Sequence, residues 1–126
     1  DNLTGLIWLK NANCFGAKPW VTALSNCNGL ADGQCGLNDG SVAGDWCLPN
    51  VRELHSLIDY SQEDPALTSG HPFTNVWFGE PSSLYWSSTT DAGEAGTAWG
   101  VTMGGGGVDD PGKADDGYVW PVRRGN

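Results

Sequence analysis

Four cysteines carry the most varied chemistry in this chain of 126 residues: Cys14, Cys27, Cys35 and Cys47. A cysteine can act as a nucleophile, a metal ligand or half of a disulfide. No two of these cysteines are separated by only two residues, which excludes the CxxC spacing of zinc ribbons and thioredoxin-like redox sites. The even number favours disulfides in an oxidising compartment, although one disulfide with two thiols and a metal site remain alternatives. Four cysteines allow three pairings, and their spacing does not choose among them.

Two loops rich in acidic residues could bind a cation. Segments 28–45 and 109–117 carry carboxylate and amide oxygens, which are the ligands that Ca²⁺ prefers. The predicted calcium ligands are Asp32, Asp39, Asp109, Asp110 and Asp115. The alternative is that these aspartates form turns and carry solvated charge.

Three aromatic residues could contact a ligand. Trp77, Phe78 and Tyr85 flank an irregular segment that follows the second predicted helix, and aromatic rings stack on sugar faces. Asn38 and Asp39 could bind sugar hydroxyl groups. The tryptophans expected in the core instead are Trp8, Trp46, Trp86, Trp99 and Trp120. An exposed aromatic patch would serve a protein partner equally well.

The charge of the chain excludes several classes of partner. Fifteen acidic residues against six basic ones give a formal charge of −9. Nucleic acids require a basic face, and no apolar run approaches the roughly 20 residues of a membrane span. We therefore expect neither nucleic-acid binding nor membrane insertion. We also expect no enzyme, because no Ser-His-Asp spacing is present and Arg52 is the only cation near Cys47.

The patterns along the chain predict one α+β domain over residues 1–126. Apolar residues at helical spacing predict helices over 19–27 and 49–60, and Asn50 with Glu53 forms a capping-box start for the second. Short aromatic and β-branched segments, separated by turn residues, are typical of antiparallel strands. The predicted strands cover residues 3–9, 83–90, 97–103 and 117–124.

Several motifs in a fixed order resemble one bacterial family. The matching segments are TGLIWLKNANCFG, CGLNDGSVAGDW, LPNVRELHSLID, HPFTNV, YWSSTT, AWGV and YVWPVR. Together they cover nearly the whole chain and are similar to the Lcl C-terminal domain family. The resemblance implies a C-type-lectin-like fold with two helices, a twisted antiparallel sheet and long loops. It also implies export or surface display; the adhesin after which the family is named forms trimers and binds sulfated glycosaminoglycans.

The resemblance also bears on the cysteines and on the ligand. Family members tend to keep cysteines matching Cys14 and Cys35, which implies a bridge between these two. Cys27 and Cys47 depart from the family pattern, so they are expected to form an additional pair. The few basic residues argue against a sulfated ligand for this chain, because sulfate groups require Lys or Arg clusters.

The resulting expectation is a non-catalytic binding or adhesion module that recognises a glycan or a surface protein through loops on a disulfide-stapled scaffold. The alternative is a structural subunit that assembles into a trimer, a larger surface oligomer or a filament. The expected location is extracellular or on the cell surface, with the periplasm as an alternative. The lectin sugar-site signatures Glu-Pro-Asn and Trp-Asn-Asp are absent from the sequence.

Overall fold

A computed structural model of the chain describes residues 5–62, 66–67, 70–77, 84–104 and 106–124. Within these residues the chain forms two helices and seven strands, an α+β arrangement as predicted. The elements in chain order are β1 (Leu6–Trp8), β2 (Ala17–Lys18), α1 (Trp20–Asn28), α2 (Val51–His55), β3 (Tyr85–Asp91), β4 (Glu94–Val101), β5 (Val108–Asp109), β6 (Gly117–Tyr118) and β7 (Val122–Arg124).

The first predicted helix is confirmed to within one residue at each end. Pro19 lies at the N-cap of α1, where an absent backbone N–H costs nothing. Gly29 closes the other end, and its N–H donates to the carbonyl oxygen of Ser25 at 3.0 Å. Ala23 and Cys27 point into the core, which is the apolar face that the spacing predicts.

The second helix begins as predicted and ends early. The Asn50 side chain accepts from the Glu53 N–H, and the Glu53 side chain accepts from the Asn50 N–H, both at 2.8 Å. The helix ends at His55 rather than near residue 60. The Asp59 carboxylate accepts hydrogen bonds from the N–H and hydroxyl of Ser61. These side-chain hydrogen bonds compete with helical backbone hydrogen bonds and favour a turn at this position.

The strands form a five-stranded sheet and a two-stranded sheet. The order in the larger sheet is β2-β6-β3-β4-β5, and β1 pairs with β7 in the smaller one. The β3–β6 contact is parallel, which differs from the purely antiparallel sheet that the sequence predicts. The predicted strand over 117–124 is split into β6 and β7 because Pro121 has no N–H to donate to a ladder.

Two hydrophobic clusters cover the two faces of the larger sheet. Successive strand residues point to opposite faces, so Tyr85 belongs to one cluster and Trp86 to the other. The α2 residue Leu54 packs in the Tyr85 cluster, whereas Ala23 of α1 packs in the Trp86 cluster. Of the tryptophans expected in the core, Trp99 is half-buried, and the buried ones are Trp8, Trp46, Trp86 and Trp120.

One of the two expected disulfides is present. Cys14 and Cys35 are bridged, with their Cα atoms 5.8 Å apart. The expected second bridge is not formed, since Cys27 and Cys47 are thiols. Cys27 lies in the same cluster as Leu48, whereas Cys47 packs against the other cluster, although Cys47 is near enough to raise the pKa of Cys27.

Candidate functional site

A stacked pair of aromatic rings, one exposed and one half-buried, is the clearest candidate for a binding feature among the described residues. The ring of Trp77 lies on the ring of Tyr118, with centroids 5.3 Å apart and planes inclined by 24°. Trp77 keeps 37% of its surface exposed, and Tyr118 on β6 is half-buried. We call these two side chains the aromatic platform.

A buried tyrosine positions the aromatic platform. The Tyr85 hydroxyl accepts from the Trp77 N–H at 2.9 Å and donates to the Ala12 carbonyl oxygen at 2.8 Å. Tyr85 itself has no exposed surface, and burial raises the pKa of its phenol, so it stays a neutral donor. Tyr85 was expected to contact a ligand. In the structure its side chain lies in the core, and its hydroxyl group positions the Trp77 backbone.

The segment leading to Trp77 is anchored to the N-terminal part of the chain. The Thr74 N–H donates to the Lys10 carbonyl oxygen at 2.8 Å, and the Ala12 N–H donates to the Thr74 carbonyl oxygen at 2.9 Å. Asn75 adopts a left-handed φ of 59° and its side chain donates to the Asn11 side-chain oxygen at 3.2 Å. The platform is therefore held in place before any ligand arrives. Phe78, the third predicted aromatic contact, lies outside the described residues.

Asp39 fastens the acidic loop to the sheet. One carboxylate oxygen accepts from the N–H and hydroxyl of Ser41 at 3.0 and 2.6 Å, and the other accepts from Arg123 at 3.1 Å. Hydrogen bonds from Ser41 are the main reason that the pKa of Asp39 is lowered, and Arg123 adds to the effect. Both oxygens are thus engaged within the chain, whereas the neighbouring candidate Asn38 is exposed.

The predicted calcium ligands are not gathered into one site. Asp32 accepts from the Gly40 N–H, Asp109 accepts from the Asp110 N–H, and Asp115 is exposed. The pKa of Asp110 is raised, first by its hydrogen bond to the Asp91 carboxyl group. In the described ranges no three His, Cys, Asp or Glu side chains could hold a metal ion together. Calcium binding therefore stays a prediction from the sequence.

The Cys27 thiol lacks the surroundings of a reactive cysteine. Burial raises the pKa of Cys27, and the nearby Cys47 raises it further. A nucleophilic or redox-active cysteine needs the opposite, a lowered pKa and access to solvent.

Tyr118 is not among the site residues that the sequence predicts. Its segment, GYVWPVRR, has the aromatic and β-branched composition of a strand. Tyr118 meets Trp77 only because β6 lies beside β3 in parallel, with Tyr85 and Tyr118 in register. No local pattern in the sequence predicts that pairing.

No helix in the described part of the chain is long and apolar enough to cross a membrane.

Comparison with known proteins gives one result. The family model of the Lcl C-terminal domain matches residues 1–123 of the chain, from its first residue to β7. No curated protein matches the chain.

Proposed function

Because the chain belongs to the Lcl C-terminal domain family, we propose that it is a non-catalytic binding module that recognises a glycan on a C-type-lectin-like scaffold. The single observation that supports this proposal is the aromatic platform of Trp77 and Tyr118.

The platform has the properties that a sugar ring requires. One face of a pyranose ring presents C–H groups, which are attracted to the negative face of an aromatic ring. Trp77 is 37% exposed and one of its faces is stacked on Tyr118, so we propose that its other face receives the sugar ring. The hydrogen bond from the Trp77 N–H to Tyr85 limits movement of the backbone, so little entropy is lost on binding.

The ligand that fits this chain is a neutral glycan. The net charge is −9 and the chain has only six Lys and Arg residues. Of these, Arg123 is paired with Asp39, and Lys113 lies 4.1 Å from the centre of the Trp20 ring. Sulfated polysaccharides would meet more repulsion than attraction on such a surface.

The scaffold is consistent with a module that acts outside the cytoplasm. The Cys14–Cys35 disulfide requires an oxidising compartment to persist. We therefore propose an extracellular or cell-surface location. Two helices, one on each face of a small sheet, with long loops between them, also fit the proposed C-type-lectin-like arrangement.

A glycan array with matched variants tests the proposal. We expect wild-type protein to bind neutral glycans and Trp77→Ala to lose at least about ten-fold in affinity, because stacking on an exposed ring supplies much of the energy. Tyr60→Ala is the control, since Tyr60 is a 69% exposed aromatic residue that does not contact the platform. Equal binding by wild type and Trp77→Ala would contradict the proposal.

Self-assembly is a second candidate function, favoured by exposed apolar side chains. Ile7, Val21, Val42 and Val108 each expose at least 45% of their surface, and Val108 lies on the edge strand β5. Such positions can join copies of a chain. Sizing chromatography without any glycan separates the two functions: a stable trimer or larger oligomer together with an inactive array would favour a structural subunit.

A further inference from the structure

We propose that the groove beside the C-terminal half of α1 is a second sugar subsite, built for the hydroxyl groups of a neutral monosaccharide unit. This inference rests on the proposed glycan-binding function and adds a contact to it. The groove is open and has a volume of about 390 Å³, within the usual range for small-molecule sites. Its walls are the end of α1, the Cys14–Cys35 bridge and Phe15.

An unsatisfied amide oxygen gives the groove its polar anchor. Asn26 Oδ1 is buried and accepts no hydrogen bond from any residue that the structure describes. A buried acceptor without a partner destabilises the folded state, and a hydrogen bond from a ligand hydroxyl would remove that cost. The Asn26 side chain lines the groove, but its Oδ1 atom is shielded from solvent. Rotation of the amide group therefore has to bring the oxygen or the nitrogen to the groove surface before a ligand hydroxyl can bind it.

Further polar groups flank this anchor. Ser25 precedes Asn26 on α1 and is exposed, and Gln34 also lines the groove. The Gln34 side-chain oxygen accepts from the Ala31 N–H at 3.1 Å, which orients its amide group. Two amides and a hydroxyl around one groove supply both donors and acceptors, as the mixed hydrogen bonding of sugar hydroxyls requires.

The remaining lining is apolar and held in place. Phe15 is half-buried and packs against both hydrophobic clusters. Cys35 adopts a left-handed φ of 51°, a conformation that is unfavourable for a non-glycine residue. The bridge to Cys14 keeps that residue in the wall. A ligand in the groove therefore meets an aromatic ring as well as polar groups.

The charge of the groove selects the class of ligand. None of the described residues that line it has an ionisable side chain, because both of its cysteines are bridged. A sulfate or carboxylate would find no cation there, and a cationic ligand would find no carboxylate. A neutral sugar loses no ionic hydration on entering, so it is the ligand class that fits.

Heteronuclear NMR titration with N-acetylglucosamine, galactose and mannose tests the proposal. In wild-type protein we expect at least one sugar to shift the amide resonances of Phe15, Asn26 and Gln34. Asn26→Ala should lower the affinity for that sugar at least about ten-fold, which is the effect of losing one buried hydrogen bond. Asn28→Ala is the control, because it removes an exposed amide two residues along the same helix and outside the groove.

The outcomes separate this inference from the proposed function. Shifts confined to Trp77 and Tyr118, with Asn26→Ala unchanged, would overturn the groove proposal and leave glycan binding intact. An absence of shifts with every sugar on wild-type protein, together with an inactive glycan array, would overturn both. The wild-type shift map needs no variant, so it decides the question even if Asn26→Ala fails to fold.

Discussion

At the scale of single residues, two side chains have roles that differ from those their types suggest. Tyr85 combines an aromatic ring with a hydroxyl group, which is typical of ligand contacts, yet it is buried and holds the Trp77 backbone. Asp39 lies in a loop with the composition of a calcium site, yet its carboxylate joins that loop to Arg123 on β7. In both cases the polar group forms a hydrogen bond within the chain and holds a surface segment in place.

The Asp39 contact predicts a specific pH dependence of stability. The pKa of Asp39 is below its ordinary value of 3.8, so the folded state prefers the carboxylate. This contribution is present above the unfolded pKa and is lost as the pH falls through the folded pKa. We expect Asp39→Asn to lower the thermal midpoint at neutral pH, and the gap to wild type to shrink below about pH 3.8.

The control for this prediction is Asp116→Asn, which removes the same charge from an exposed position. Thermal unfolding followed by circular dichroism across the acidic range is the measurement. If the two variants lose equal stability at every pH, the effect belongs to net charge and not to the contact with Ser41 and Arg123.

At the scale of elements, strand β6 links the scaffold to the aromatic platform. It pairs with β2 on one side and β3 on the other, and it carries Tyr118. Gly117 precedes Tyr118 and lies against the Trp86 indole, which donates to the Lys18 carbonyl oxygen at 2.8 Å. The lack of a side chain at Gly117 allows this close contact while β6 pairs with both β2 and β3.

The close approach predicts that a methyl group at Gly117 is not tolerated. A Cβ atom there would lie 2.6 Å from Trp86 Nε1, so the indole or the strand has to move. We expect Gly117→Ala to lower the free energy of unfolding by about 1–3 kcal/mol, the usual range for overpacking. Chemical denaturation measures the change.

Gly96 on β4 provides the matched control, because a Cβ there would meet no described atom within 4 Å. Gly96→Ala should therefore change the stability little. Similar losses in both variants would mean that strand glycines matter for their backbone freedom, and that contact with Trp86 is not the cause.

At the scale of the whole molecule, one covalent bridge ties the N-terminal segment to the acidic loop. Cys14 and Cys35 are 21 residues apart, and their bridge forms one wall of the proposed sugar subsite. Both bridged cysteines also pack against the hydrophobic cluster that contains Tyr85. The bridge therefore joins the two segments to each other and to the core.

The single bridge predicts how the protein responds to a reductant. Closing a loop of this length stabilises the folded state by roughly 3 kcal/mol in the chain-entropy model. We expect Cys14→Ser/Cys35→Ser protein to be less stable by about that amount. Since Cys27 is already a thiol, the double variant should not respond to dithiothreitol, whereas wild type should.

Thermal unfolding of both proteins, with and without reductant, makes the comparison. A further loss of stability in the reduced double variant would show that Cys27 and Cys47 form a bridge in solution. That result would support the Cys27–Cys47 disulfide that we expected from the sequence.

The sequence alone determined the features that depend on near neighbours along the chain. The capping box of α2, the position of α1 and the burial of most motif tryptophans follow from spacing and residue type, and the structure confirms each of them. The family resemblance added the Cys14–Cys35 bridge. Residue spacing, residue type and family motifs are all visible in the sequence, so these features can be predicted without coordinates.

Only the tertiary structure decided which distant groups meet. Trp77 stacks on Tyr118, and Asp39 binds Arg123 at a separation of 84 residues. Asn26 lines a groove that has the Cys14–Cys35 bridge in its wall. Alternation along a strand tells which face a side chain occupies, but it does not tell which strand lies beside it. The parallel placement of β6 next to β3 supplied that information, and the aromatic platform depends on it.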